Sequence, residues 1–159
     1  KNILKPAGME NTAFLYRDPD NNDITQPLVK NGDNWNVING NRNSRGTSAG
    51  GCYTTLNDMV KFSNAIKNNV LLTSETFMEL IKDQTTGIKD AFGYGYGFEL
   101  YRYGKNGMAY GHGGITKGVN FEYRYFPEFD ITLVICCNQD NGAFDDLKKN
   151  SVKLITGDR

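Results

Sequence analysis

The chain has 159 residues, room for one domain with a sizeable core and hardly for two. Its 18 basic and 18 acidic side chains cancel, so no basic surface stands ready for phosphates and nucleic-acid binding is excluded as a primary role. No apolar run approaches the roughly 18 residues that a membrane span needs, so no span lies in this piece. Aromatics at 12% and 18 glycines point to a folded, loop-rich domain with β-structure rather than to disorder. The cysteines are Cys52, Cys136 and Cys137, there is no CxxC, and His112 is the sole histidine. That set argues against a structural zinc site. As neighbours in a strand, Cys136 and Cys137 face opposite ways and are poorly placed to bridge each other.

Three segments follow in chain order, 1–51, 52–90 and 91–159. Lys1-Asn2-Ile3-Leu4-Lys5-Pro6 reads as the last turn of a helix stopped by a proline. No helix start precedes it, so further chain upstream is expected. Residues 18–51 are polar, with eight asparagines from Asn21 to Asn43 and with Pro19, Pro27, Gly32, Gly40 and Gly46. The expectation is a long loop, either a solvated surface excursion or a cover over a substrate. Helical spacing then sets in. Thr55 and Asp58 form a capping-box pattern, and Leu56, Met59, Val60, Ser63 and Ile66 line one face as candidate core. A second helix begins after Thr73 and buries Phe77, Leu80 and Ile81.

From residue 91 the period falls to two. Gly93-Tyr94-Gly95-Tyr96-Gly97 leads into a strand near Phe98–Tyr103. A second strand, near Met108–Gly114, follows a turn at Lys105-Asn106-Gly107. A third runs over Val119–Phe126, with Val119, Phe121, Tyr123 and Tyr125 on one face. The fourth, Ile131–Cys137, is apolar on both faces and reads as a central, doubly covered strand. Asp140-Asn141-Gly142 leads to a final helix on which Phe144, Leu147, Ser151, Leu154 and Ile155 share a face. The expected fold class is α+β, an antiparallel sheet with helices packed on it. A central strand needs two neighbours, and the chain clearly supplies one. Either a homodimer forms at that exposed strand edge, or N-terminal strands outside these residues complete the sheet; the second is the expectation.

The sharpest local feature is Tyr110-Gly111-His112-Gly113-Gly114-Ile115-Thr116, three glycines around the histidine near a strand end. Glycine permits close approach of a ligand or of another backbone, and a strand edge with a free amide suits an extended substrate or an oxyanion. A glycine-rich hairpin with an incidental histidine is the alternative. The string is not a phosphate loop, since it lacks GxxxxGK[ST].

Five strings in order resemble the C-terminal part of the serine β-lactamase-like family, which includes class C β-lactamases, D-Ala-D-Ala carboxypeptidases and related esterases. They are Leu4-Lys5-Pro6-Ala7-Gly8-Met9-Glu10-Asn11-Thr12, Ala49-Gly50-Gly51-Cys52-Tyr53-Thr54-Thr55-Leu56-Asn57-Asp58-Met59, Leu71-Leu72-Thr73-Ser74-Glu75-Thr76, Gly93–Gly97 and His112-Gly113-Gly114. Asn138 resembles the family's strand-closing asparagine. The resemblance implies a β-lactamase/transpeptidase-like fold and acyl-serine hydrolysis of an amide or ester, with no cofactor and no metal. It places His112 at the active-site edge and gives the Ile115 backbone N–H to the oxyanion hole. Gly113 and Gly114 would keep the edge clear for substrate, with Thr116 as a substrate contact. The family's Ser-x-x-Lys and Tyr-x-Asn motifs are absent from these residues, so the chain is expected to be inactive alone and to need an N-terminal half of the same protein. His-Gly-Gly in place of Lys-Thr-Gly weakens a specifically β-lactam-hydrolysing reading. The substrate implied is a small molecule or a peptide, and the location extracytoplasmic. The alternative is a non-catalytic relative that binds peptide or cell-wall fragments.

Overall fold

A computed structural model of the chain describes residues 2–18, 20–38, 45–85, 93–105, 107–139 and 142–157. They form an α+β architecture, a five-stranded antiparallel sheet with helices on both faces and a separate two-stranded hairpin. Expectations that fell on Pro19, residues 39–44, Asn106, Asp140 and Asn141 lie outside the described residues.

The chain enters through a helical turn. Ala7 N–H donates to the Ile3 carbonyl at 3.1 Å, Gly8 N–H to Lys5 at 3.1 Å and Met9 N–H to Leu4 at 2.8 Å. With Gly8 at φ +69° and Leu4 packed beside Met9, this is the closing pattern of a helix C-terminus. The stop read from Pro6 therefore belongs to Gly8. Pro6 sits inside the turn, and the left-handed glycine ends it.

Residues 18–51 are not one long loop. Strands β1 (Leu28–Asn31) and β2 (Asn34–Val37) pair antiparallel across Gly32-Asp33, with Gly32 at φ +61°. Gly-Asp between two short strands is a two-residue hairpin signal, which the asparagine-rich composition obscured. The hairpin is tied to the end of the large sheet: Leu28 N–H donates to the Asn138 carbonyl at 2.8 Å, and Asn138 Nδ2 donates to the Gln26 carbonyl at 3.0 Å.

Helix α1 (Leu56–Lys67) starts at Thr55, whose hydroxyl accepts the Asp58 N–H at 3.2 Å. Only that half of the expected capping box forms. The Asp58 carboxylate turns to the N-terminal segment, accepting from Asn11 N–H at 2.8 Å, Thr12 Oγ1 at 2.8 Å and Lys61 Nζ at 3.2 Å. Asp58 is fully buried. Burial pushes its carboxyl up, but the donors from Thr12, Asn11 and Lys61 hold it below the ordinary aspartate range. The helix is rotated accordingly. Ser63, Ala65 and Ile66 are buried, whereas Leu56 and Val60, expected in the core, are exposed at 53% and 45%. Helix α2 (Ser74–Leu80), capped by Thr73, buries Phe77; Ile81 just beyond it is buried and Leu80 half-buried.

Strands β3 (Gly93–Tyr94), β4 (Glu99–Tyr103), β5 (Gly107–Thr116), β6 (Val119–Phe126) and β7 (Ile131–Cys137) lie side by side in chain order. On one face, Ile66, Phe77 and Ile81 pack on Leu100, Tyr110 and Tyr125. On the other, helix α3 (Ala143–Thr156) sets Val152 and Ile155 against Tyr101, Ala109 and Phe126. On α3 Phe144 is buried and Val152 and Ile155 are partly buried, while Leu147 and Leu154 of the expected face are exposed. Strand β7 has the expected bounds and, as expected of these residues, one strand neighbour. Among the described residues it ends the sheet, with β6 on one side only. Its apolar faces answer to α1 and α3, which contact it from opposite sides. Helices on both faces account for the doubly apolar pattern. The three cysteines are free.

Candidate functional site

Strand β5 outruns β4. The β4–β5 ladder stops at Glu99 opposite Gly111, whereas β5 stays paired to β6 from Tyr110 through Thr116. One edge of β5 beyond Gly111 is therefore not covered by a strand. Gly113 faces this edge, since its N–H donates to Glu99 Oε2 at 3.2 Å. Backbone groups alternate sides along a strand, so Ile115, two residues on, presents its N–H and C=O the same way. No partner meets the Ile115 backbone there among the described residues, and the residue is 73% exposed. His112, Gly114 and Thr116 are exposed as well.

The three glycines of the string are not equivalent. A Cβ at Gly111 would lie 1.8 Å from the Tyr123 carbonyl oxygen, and one at Gly113 would lie 2.9 Å from Glu122 Oε2. A Cβ at Gly114 would meet nothing within 4 Å. Gly111 is demanded by the approach of the β6 backbone, the atom nearest Gly113 is the end of the Glu122 side chain, and Gly114 opens onto free space.

His112 is held at both ring nitrogens. Nδ1 lies 2.6 Å from the Gly113 carbonyl oxygen, and Nε2 lies 3.0 Å from Tyr94 Oη. A carbonyl only accepts, so Nδ1 carries a proton, and Nε2 shares a hydrogen bond with the Tyr94 hydroxyl. The rings meet edge to face at 5.9 Å and 86°. Tyr94 was not singled out from the sequence, although its flanking glycines carried a signal. A Cβ at Gly95 would lie 2.0 Å from the Leu80 carbonyl oxygen, so that glycine lets the backbone beside Tyr94 approach the end of α2, and the atom nearest a Cβ at Gly93 would be Asp83 Oδ2 at 2.6 Å.

Below the strand, on the face of α3, lies a polar cluster that sequence reasoning also missed. Tyr101 Oη donates to Glu99 Oε2, and burial together with that carboxylate pushes its hydroxyl far above the ordinary tyrosine range. Glu122, only 3% exposed, pairs with Arg124 and lies 3.9 Å from Lys148 Nζ. The Arg124 guanidinium sits 3.6 Å from the Tyr101 ring centre. These side chains come from three elements, and no short motif joins them. The expected site residues His112, Gly113, Gly114, Ile115 and Thr116 lie together on one strand. Thr116 stands at its far end opposite Val119, where the turn residue Gly118 packs against Leu28 of the hairpin.

A family model described as beta-lactamase matches residues 1–157. The beta-lactamase-like protein 1 of Dictyostelium discoideum is 33% identical over 75 residues, 46% of this chain and 12% of that protein. Among solved structures, a penicillin binding protein from Bacillus halodurans matches with a TM-score of 0.79 and 26% identity over 95% of this chain and 47% of its own. A D-amino acid amidase from Ochrobactrum anthropi matches with a TM-score of 0.70 and 18% identity over 94% of this chain and 46% of its own. The chain thus spans about half the length of these solved structures and about an eighth of the curated relative. With nearly every residue under one family model and the sheet-and-helix frame shared with these structures, the chain belongs to the beta-lactamase family and has the serine β-lactamase/transpeptidase fold.

Proposed function

We propose that this chain is the C-terminal portion of an acyl-serine hydrolase that cleaves an amide or ester, such as a β-lactam or a peptide ending in D-Ala-D-Ala. The observation that carries this reading is the β5 edge, where an outward Ile115 N–H stands beside a hydrogen-bonded His112. In this reading a serine hydroxyl attacks the substrate carbonyl, and the Ile115 N–H and the serine's own N–H receive the oxyanion. One such donor is worth about 3–4 kcal/mol of barrier. His112 meets the polar or carboxylate end of the substrate, Gly113 and Gly114 keep the edge clear, and Thr116 flanks it. The nucleophile comes from elsewhere in the full-length protein, because no serine of these 159 residues has Lys three positions later and no tyrosine has Asn two positions later. The chain by itself is then inactive. The same N-terminal half covers the outer edge of β7 and the exposed Leu56 and Val60 of α1. Family membership favours an extracytoplasmic location.

The test is covalent labelling by a fluorescent penicillin, together with turnover of a D-alanine p-nitroanilide, on the full-length protein and on the 159-residue chain. Labelling and turnover by the full-length protein alone are the expected result. Labelling of the short chain would overturn the dependence on an upstream nucleophile. A full-length protein that binds D-Ala-D-Ala peptide without labelling or turnover would be a binding relative instead.

A further inference from the structure

Both ring nitrogens of His112 are engaged within the protein. Nδ1 meets the Gly113 carbonyl oxygen at 2.6 Å and Nε2 meets Tyr94 Oη at 3.0 Å, so the imidazole keeps no free nitrogen for a ligand. The Tyr94 hydroxyl does have capacity left. It carries one proton and two lone pairs, and among the described residues its one hydrogen bond is the bond to His112. Tyr94 is 37% exposed, and its backbone is fixed on both sides. Its N–H donates to Asp83 Oδ1 at 3.3 Å, and its carbonyl accepts from Gln84 N–H at 2.8 Å. Its ring is fixed by the edge-to-face contact with the imidazole. The hydroxyl is therefore an accessible, pre-positioned group, held by a residue three positions before Ile115 on β5.

Resting on the proposed function above, we propose that His112 meets the carboxylate end of the substrate through Tyr94: the tyrosine hydroxyl makes the contact and the histidine positions it. With the scissile carbonyl at the Ile115 N–H, the leaving group extends toward His112 and Tyr94. A carboxylate there needs a donor. Nδ1 already carries a proton, and when Nε2 carries one as well it donates to Tyr94 Oη and leaves the hydroxyl proton for the carboxylate. The imidazolium charge then stands one hydrogen bond behind the anion. The protein's own carboxylates on this side are both engaged, Glu99 with the Gly113 N–H and Tyr101, and Asp83 with Thr85 and Arg102.

Variants of the full-length protein test this through the ratio of kcat/KM for N-acetyl-D-alanyl-D-alanine over N-acetyl-D-alanine p-nitroanilide, which lacks the leaving-group carboxylate. Tyr94→Phe keeps the ring on His112 and removes the hydroxyl. The ratio should fall about 10- to 100-fold, the effect of losing one hydrogen bond to a charged group, with the loss in KM for the carboxylate substrate. His112→Ala should lower the ratio too, and the double variant should fall no further than Tyr94→Phe alone. Direct contact by His112 predicts the opposite, because Tyr94→Phe frees Nε2. A ratio unchanged or raised in Tyr94→Phe, or a double variant that loses the product of the two single factors, overturns the proposal. Equilibrium binding of N-acetyl-D-alanyl-D-alanine separates this from the hydrolase reading. No turnover of either substrate, with binding weakened about tenfold or more in Tyr94→Phe, removes the hydrolase and leaves the contact standing. Turnover of both with an unmoved ratio does the reverse, and a wild-type protein that does not bind the peptide overturns the contact whatever else it cleaves.

Discussion

Two polar clusters of this molecule use similar chemistry to opposite ends. Around Asp58, an amide, a hydroxyl and an ammonium all converge on one buried carboxylate, and the bonds join the segment at Asn11 and Thr12 to helix α1. Around His112, hydrogen bonds are equally dense, yet they end at an exposed strand whose next outward amide, Ile115, has no partner among the described residues. A closed cluster locks elements together, and an open one leaves a donor for something else. Residue types alone do not separate the two cases; burial and the destination of each bond do.

Substitutions should separate them in turn. The largest effect belongs to the open cluster. In the full-length protein, Ile115→Pro removes the outward N–H and should lower kcat by about 100- to 1,000-fold. Stability should hardly change, because an outward-facing position on a strand edge tolerates proline; equal losses of stability and activity would show that the amide is structural. Gly111→Ala should act the other way, forcing a Cβ against the Tyr123 carbonyl and costing about 1–3 kcal/mol in denaturant unfolding. Gly114→Ala, two strand positions from Ile115's neighbour Thr116 and open to space, should cost under about 0.5 kcal/mol.

In the closed cluster, Asp58→Asn should cost about 1–3 kcal/mol at neutral pH through loss of charge-assisted bonds to a buried group. Its pH dependence has a definite sign. The folded-state pKa of Asp58 is lowered, so its contribution is complete above the unfolded value of about 4 and is lost as pH falls through the folded value. Unfolding curves at neutral pH and below pH 4 should show the gap between wild type and Asp58→Asn closing in acid. A gap that stays constant would mean that the carboxylate charge contributes nothing to the latch. The smallest expected effect is in solution behaviour: light scattering on the 159-residue chain should reveal association through the open β7 edge, which the full-length protein should lack.

Much of the frame is legible in the sequence. The strands β6 and β7 have the bounds that their apolar patterns predicted, alternating in β6 and two-faced in β7, and α1 and α2 begin at the threonines read as their caps. The hairpin β1–β2 was not legible as such, because asparagine-rich composition describes a loop and a two-residue turn alike. Leu56, Val60, Leu147 and Leu154 were assigned to core faces by spacing and are exposed. Helical periodicity reports which residues share a face; it does not report whether anything covers that face. At the site, the string of glycines around His112 located the strand, but Tyr94, Glu99 and Tyr101 come from other strands and left no motif of their own.

By itself the sequence determined the periodicities, the caps, the glycine positions and the order of the family strings, since each of these depends on residues near one another in the chain. Tertiary structure alone decided which glycine answers to a backbone, which lies nearest a side chain and which faces open space. It also decided that β7 lies at the edge, that Asp58 closes a latch rather than a capping box, and that the Gly113 N–H is taken by Glu99 while that of Ile115 is free among the described residues. These outcomes depend on distances between elements far apart in the chain, and only the packed sheet sets those distances.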